Sequence, residues 1–295
     1  MKIIVYETFQ HVIPTGEGWA SGLEDLGHTV YRLPSHTYSL CEVDEQIDVV
    51  VILSSVDPSR YKEVIRYKED NPKTKICFGT LNYNSIYDEL LNTVDIWIEM
   101  VMKHSRSEEE FKRRGLKLIF VPLAANNKIF FPTGDEKIHD ISFIGTMGAP
   151  GEREEDKYLF PVMKQPYRGI FSGFNGFPHI LHTSVNKVYN QTRVNLNFHF
   201  PYQKAETSDP QSRIDFNGRV YEVSMSGNFQ VCDHPSVVEV FKGTIPYVPK
   251  EKWLETIEYY VKNETERNQM ARASREICLK DHSWKRRMEE FLQKI

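Results

Sequence analysis

Pro122-Leu-Ala-Ala-Asn-Asn-Lys-Ile-Phe-Phe-Pro-Thr-Gly134 decides how the chain is divided. Two prolines, two asparagines and a glycine favour turns, and the prolines bring no backbone donor. The stretch therefore reads as a crossing between folded units. On its amino-terminal side, β-branched apolar runs alternate with helical patterns. Strands are expected at Lys2–Tyr6, Thr29–Leu33, Asp48–Leu53, Lys75–Phe78, Asp95–Met100 and Leu116–Val121. Helices are expected at Glu17–Leu26, Arg60–Lys68, Ile86–Leu91 and Ser107–Arg114, with Gly27 and Gly115 as terminators. Residues 48–53, Asp-Val-Val-Val-Ile-Leu, are apolar without alternation, as a parallel strand covered on both faces requires. Repeated strand–helix units imply an α/β doubly wound parallel sheet.

The carboxyl-terminal side repeats the theme. Strands are expected at Asp140–Gly145, Arg168–Ser172, Val194–Phe200, Phe229–Cys232 and Thr244–Val248. Helices are expected at Val185–Gln191, Gly218–Ser226, Ser236–Lys242, Glu251–Lys262 and Glu264–Lys280. Ser236 and Glu239 have capping-box spacing, and Asn263 is the expected N-cap of the helix that follows it. Ser283–Ile295 is amphipathic, with Trp284, Met288 and Leu292 at spacing four. Two Rossmann-like sheets would offer a ligand cleft between their carboxyl edges.

Composition narrows the function. At roughly 150 residues per domain, 295 residues make two domains. A net charge of -4 disfavours a broadly basic nucleic-acid surface. Lys112-Arg113-Arg114 and Lys285-Arg286-Arg287 keep a local patch in play. No apolar run nears the roughly 18 residues of a membrane span. Glu7 interrupts the first apolar run too early for a signal peptide. Cys41, Cys77, Cys232 and Cys278 have no metal-ligand spacing, and reduced cysteines point to the cytoplasm. His179 and His182 lack a partner at zinc spacing, so no metal is expected.

Three stretches carry candidate chemistry. In the first, Asn217-Gly218 turns into a helix on which Arg219, Glu222 and Ser226 share a face, while Val220 and Val223 turn toward a core. A helix start beside an arginine suits a phosphate, and a carboxylate one turn on can accept from ribose or sugar hydroxyls. The structural alternative is an Arg219–Glu222 surface pair worth a few tenths of a kcal/mol. In the second, Gly145-Thr-Met-Gly-Ala-Pro-Gly-Glu-Arg153 lets backbone approach a ligand. It matches neither a dinucleotide fingerprint nor a P-loop. Arg153 reaches a diphosphate or is a solvated charge among Glu152, Glu154 and Glu155. The third, Pro14-Thr-Gly-Glu-Gly18, puts Gly16 and Gly18 where a Rossmann-like sheet meets its ligand, or in an ordinary β-α turn.

Together these residues resemble GT-B-fold glycosyltransferases. Leu26-Gly-His-Thr-Val30 is similar to their GHxV element, and Asp140-Ile-Ser-Phe-Ile-Gly145 to the opening of their second domain. Asn190–His199, Arg219-Val-Tyr-Glu222 with Ser226-Gly227, Phe241-Lys-Gly243 and His282–Arg286 resemble the CgeB-like branch. The resemblance implies a metal-independent transferase that takes a sugar from a nucleotide-diphosphate sugar, with no further cofactor. Residues 1–130 would form the acceptor-side domain and 131–282 the donor-side domain, with 283–295 crossing back to the first. Glu222 would bind the donor ribose. Tyr189, Asn197, Arg213, Asn217, Gly218, Arg219 and Ser226 complete the implied donor-side set with Gly16, Gly18, Gly145 and Arg153. Retaining relatives carry a glutamate eight residues before Glu222. Ile214 stands there, and the neighbouring Asp215 is the candidate catalytic carboxylate. The acceptor is unidentified, with a base in DNA as one subclass. Two other classes stand beside this one: a sugar-nucleotide-binding protein without catalysis, and a two-domain α/β enzyme such as a sugar-nucleotide epimerase.

Overall fold

The computed structural model describes residues 1–7, 15–53, 57–80, 88–100, 109, 111–145, 156–172, 180–199 and 217–295. They fall into two compact units, the described residues of 1–124 with 284–295, and those of 125–283.

The first unit is built on six parallel strands: β1 (Lys2–Glu7), β2 (Thr29–Pro34), β3 (Val49–Leu53), β4 (Lys75–Thr80), β5 (Ile96–Glu99) and β6 (Lys117–Phe120). Their order is β2-β1-β3-β4-β5-β6. Alternation along each strand makes two apolar layers. Ile3, Val5, Val49 and Val51 enter one, and Ile4, Tyr6, Val50 and Ile52 the other. Central β3 is buried along its whole length, which is why it carries no polar residue. Helices α2 (Tyr61–Asp70) and α3 (Asp88–Leu91) contribute to the second layer. Helix α1 (Thr15–Glu24) and the last helix, α10 (Trp284–Leu292), cover the first layer. Trp19 of α1 lies 6.3 Å from Trp284 and 5.0 Å from Phe291, centroid to centroid. The chain end thus returns to the amino-terminal unit.

The second unit has four parallel strands: β7 (His139–Ile144), β8 (Gly169–Ser172), β9 (Thr192–Asn197) and β10 (Gln230–Cys232), in the order β10-β9-β7-β8. Around them run α4 (Asp156–Met163), α5 (His182–Gln191), α6 (Gly218–Met225), α7 (Val237–Val240), α8 (Trp253–Lys262) and α9 (Glu264–Asp281). One sheet face is apolar: Ile141, Phe143, Val194, Leu196 and Val231 pack with Leu159 of α4 and with Trp253 and Ile257 of α8. The residues between them, Ser142, Asn195, Asn197 and Gln230, are polar and equally buried. Ser142 Oγ donates to Asn195 Oδ1 at 2.7 Å, and Asn197 Nδ2 donates to Gln230 Oε1. Gln230 Nε2 donates to the Val220 carbonyl at 2.8 Å and to Ser224 Oγ at 2.7 Å, which seats α6 on this polar floor.

Several expectations are corrected. The strand foreseen at Thr244–Val248 is a single bridge between Cys232 and Tyr247, because Pro246 and Pro249 flank it and cannot donate to a ladder. Helix α4 went unforeseen, and it carries Pro161 inside. Ser236 makes no capping bond through its side chain. Asn263 turns back instead, donating from Nδ2 to the Tyr259 carbonyl at 2.7 Å and closing α8. The unit division falls after Ala124, not after residue 130. Residues beyond it are docked on α5: the Phe131 N–H donates to Asn186 Oδ1 at 3.2 Å, and the Thr133 N–H to Asn190 Oδ1 at 3.0 Å. Of the helix expected at Ser107–Arg114, residues 109 and 111–113 are helical, and 107, 108 and 110 lie outside the described residues. Among those described, no helix is long and apolar enough to cross a membrane.

Candidate functional site

Helix α6 begins where the carboxyl ends of β7 and β9 meet. Asn217 is extended, with φ -65° and ψ 157°, and Gly218 opens the helix. Arg219 then folds back over the strand ends. Its Nη1 donates to the Ile144 carbonyl at 2.6 Å, Nη2 to the Phe198 carbonyl at 2.7 Å, and Nε to Asn217 Oδ1 at 3.3 Å. The guanidinium carbon also lies 4.8 Å above the Phe143 ring. Gly145 makes room for it, since a Cβ there would come within 1.6 Å of Arg219 Nη1. Arg219 therefore places a positive charge at the carboxyl edge of the sheet and holds two of its strands together.

Glu222 is not on an open face. It is 2% exposed, and Oε2 accepts from the Tyr189 hydroxyl of α5 at 3.1 Å. Its side chain runs back toward the helix start, where Oε1 would lie 3.2 Å from a Cβ on Gly218. Oε1 has no hydrogen-bond partner among the described residues. Burial pushes the Glu222 carboxyl up to about 7, against the Tyr189 hydrogen bond and the Arg219 charge, which both favour ionisation. Burial likewise drives the Tyr189 phenol well above its ordinary value, so it stays a donor. Arg219 and Glu222 are not within ion-pair distance, so the surface-pair alternative does not describe them. Ser226 is also buried, and its hydroxyl is used internally: Oγ lies 2.7 Å from Asn186 Oδ1 and 2.8 Å from the Glu222 carbonyl.

Beside Arg219, the ends of β9 and β10 are clamped together. Asp233 Oδ1 accepts from the His199 N–H at 2.8 Å and lies 2.8 Å from His199 Nδ1. Cys232 Sγ accepts from the His234 N–H at 3.4 Å and sits 3.8 Å from His199 Nδ1. The ligand-type atoms of His199, Cys232 and Asp233 all lie within 4.8 Å of one another. Burial first, then the Asp233 charge, raises the Cys232 thiol well above its ordinary value. The group reads as a hydrogen-bonded clamp.

Residues 160–293 match the family described as glycosyl transferase-like. The chain has the GT-B fold, and its carboxyl-terminal part is similar to that family. Its fold is similar to sucrose-phosphate synthase from Thermosynechococcus elongatus, with TM-score 0.60 and 10% identity over 99% of this chain and 98% of that one. It is also similar to Anabaena HepE in complex with UDP-glucose, with TM-score 0.56 and 9% identity over 100% of both chains. A third similar structure is the lipopolysaccharide outer core galactosyltransferase WaaB in its apo form, with TM-score 0.51 and 9% identity over 100% of this chain and 99% of that one. Among curated proteins no sequence relative matches it.

The structure brings Gly145, Tyr189, Asn217, Gly218, Arg219 and Glu222 to one place in the second unit. It gives other expected donor contacts different work. Gly18 is a packing glycine of the first unit, where a Cβ would come within 2.2 Å of Trp284 Nε1. Gly16 is buried, and its N–H donates to Glu7 Oε2 at 2.5 Å. Asn197 belongs to the polar floor and Ser226 to the link with α5. Arg153, Arg213 and Asp215 lie outside the described residues. His199, Asp233 and Asn186 were missed. Their signal is positional: His199 and Asp233 follow neighbouring strands paired at Asn197 and Cys232.

Proposed function

We propose that this chain is a glycosyltransferase that holds a nucleotide-diphosphate sugar on its carboxyl-terminal unit and transfers the sugar without a metal ion. The acceptor falls to the amino-terminal unit. The reading belongs with the CgeB-like branch, on the Arg219-Val-Tyr-Glu222 element, and with a cytoplasmic protein. The observation that carries it is Glu222. A buried carboxylate with one oxygen held by Tyr189 and the other unpartnered is set to accept from a ribose hydroxyl. The α6 start and Arg219 lie at the same strand ends, where an anion is favoured. HepE was solved in complex with UDP-glucose, which makes that donor the first to try. Arg153 and Arg213 are assigned to the diphosphate and Asp215 to the sugar. Cations that bind the diphosphate most strongly as the bond breaks would accelerate transfer.

The test is calorimetric titration of UDP-glucose in the presence of EDTA. Wild type should bind, and Glu222→Gln should bind about ten- to a hundredfold more weakly, as the loss of a charge-assisted hydrogen bond implies. Equal dissociation constants overturn the Glu222 assignment. Binding that vanishes with chelator and returns with magnesium overturns the metal-free one.

A further inference from the structure

A cavity of about 190 Å³ lies where β7, β9 and β10 begin, away from the strand ends that carry Arg219 and Glu222. Lys137, Arg193 and Arg267 line it with Asn228, Asn268 and a single carboxylate, Asp135. Arg267 is 5% exposed, and its Nη1 donates to the carbonyls of Tyr260 and Val261. Lys137 Nζ donates to the Asn190 carbonyl at 2.7 Å and to Asn228 Oδ1 at 2.5 Å. Among the described residues neither cation has an ion-pair partner. Arg193 does have one, giving Nη1 to Asp140 at 2.5 Å. Asp135 accepts from Thr133 Oγ1 at 2.7 Å.

Buried cations are normally paired, because leaving water costs more than carbonyl contacts return. Here Arg267 is buried and Lys137 half-buried, and the two also repel one another. Burial first, then the Arg267 charge, lowers Lys137 to about 8, against the opposing pull of Asp135 and Glu264. Burial also lowers Arg267, with Glu264 opposing and Arg193 adding to the effect. An anion in the cavity would relieve burial and repulsion together. The volume is more than ten times what one water needs, enough for a tetrahedral anion with water beside it. A lysine point charge with two planar guanidiniums favours phosphate oxygens over a flat carboxylate.

We propose that this cavity is a binding site for a phosphate dianion, free or as a small monoester, held by Lys137, Arg193 and Arg267 apart from the sugar-donor site. Calorimetric titration of inorganic phosphate into the full chain, at constant ionic strength and with UDP present, tests it. Wild type should bind one equivalent saturably. Lys137→Met should weaken binding roughly tenfold or more, and Arg193→Gln by less, since Arg193 is shared with Asp140. Circular dichroism shows whether Lys137→Met folds, and Arg193→Gln decides alone if it does not. Absence of saturable binding overturns the proposal, as does binding that the folded variants leave unchanged. Glycerol phosphate in place of phosphate separates the sources: tighter binding marks a monoester, weaker binding free phosphate. The readout follows cavity variants rather than sugar transfer, so it stands or falls independently of the donor assignment.

Discussion

Replacing Glu222 by glutamine should stabilise the protein in a pH-dependent way while weakening its donor binding. The carboxyl sits at about 7 in the folded chain against an ordinary 4.5, with burial as the main cause. The sign follows from proton linkage. Between those two values the folded state holds a proton that the unfolded state has released. Stability therefore falls as pH rises from about 4.5 to about 7, and is flat above. At 1.36 kcal/mol per pH unit, the cost at pH above 7 is about 3 kcal/mol. Glutamine keeps the shape and an acceptor for the Tyr189 hydroxyl but never ionises. Its amide N–H₂ group carries its own desolvation cost, which is the same at every pH and so cancels when two pH values are compared. Urea unfolding of both proteins near pH 4.5 and near pH 8 is the assay. The stability of the variant relative to wild type should rise by about 3 kcal/mol between the two. A relative stability that does not change with pH refutes the buried, proton-sharing carboxyl, and with it the reason Glu222 is costly to keep.

Three other substitutions test the packing that positions the site. Gly145→Ala would push Arg219 off the Ile144 carbonyl, and thermal melting should show a loss of about 1–3 kcal/mol. Gly22→Ala would set a methyl 2.7 Å from the Trp284 carbonyl oxygen, and should cost a similar amount by releasing α10 from α1. Accelerated proteolysis at the carboxyl terminus would report that release, and an unaltered pattern would argue against it. Arg219→Ala leaves the Ile144 and Phe198 carbonyls short of a donor and removes a cation from the proposed diphosphate site. It should melt earlier and, at saturating donor, transfer sugar at least tenfold more slowly.

The parallel sheets were legible because burial on both faces leaves a strong trace. Residues 48–53 have no polar position to spare, and β3 proves to be the centre of a six-stranded sheet. The alternation in Val194-Asn-Leu-Asn-Phe-His199 marked a strand equally well, but its usual meaning, one wet face, does not hold here. The asparagines are as buried as the apolar residues, and their partners are 33 and 53 positions away in sequence. No periodicity within a strand announces such long-range pairing. Glu222 was misplaced for the same reason, since its surroundings come from Tyr189 on another helix. Gly18 shows the reverse error. A glycine after a first strand fits a ligand loop and a helix crossing equally well, and Trp284 alone distinguishes them.

The polar floor under α6 explains why so much hydrogen bonding is buried in the carboxyl-terminal unit. A buried hydrogen bond stabilises by about 0.5–1.5 kcal/mol net, less than the 1.5–3 kcal/mol of a well-buried apolar side chain. An apolar floor would therefore hold the helix more firmly, but not in one place. Gln230 Nε2 meets both the Val220 carbonyl and Ser224 Oγ, and a slide of one residue, about 1.5 Å, breaks both contacts. Ser226 and Asn186 secure the other end. With α6 indexed in this way, Arg219 can fall only on the strand-end carbonyls and Glu222 only against Tyr189. A desolvated carboxylate would otherwise relax toward water or toward the arginine one turn away. Held against Tyr189 by the seating of α6, it keeps one oxygen unused.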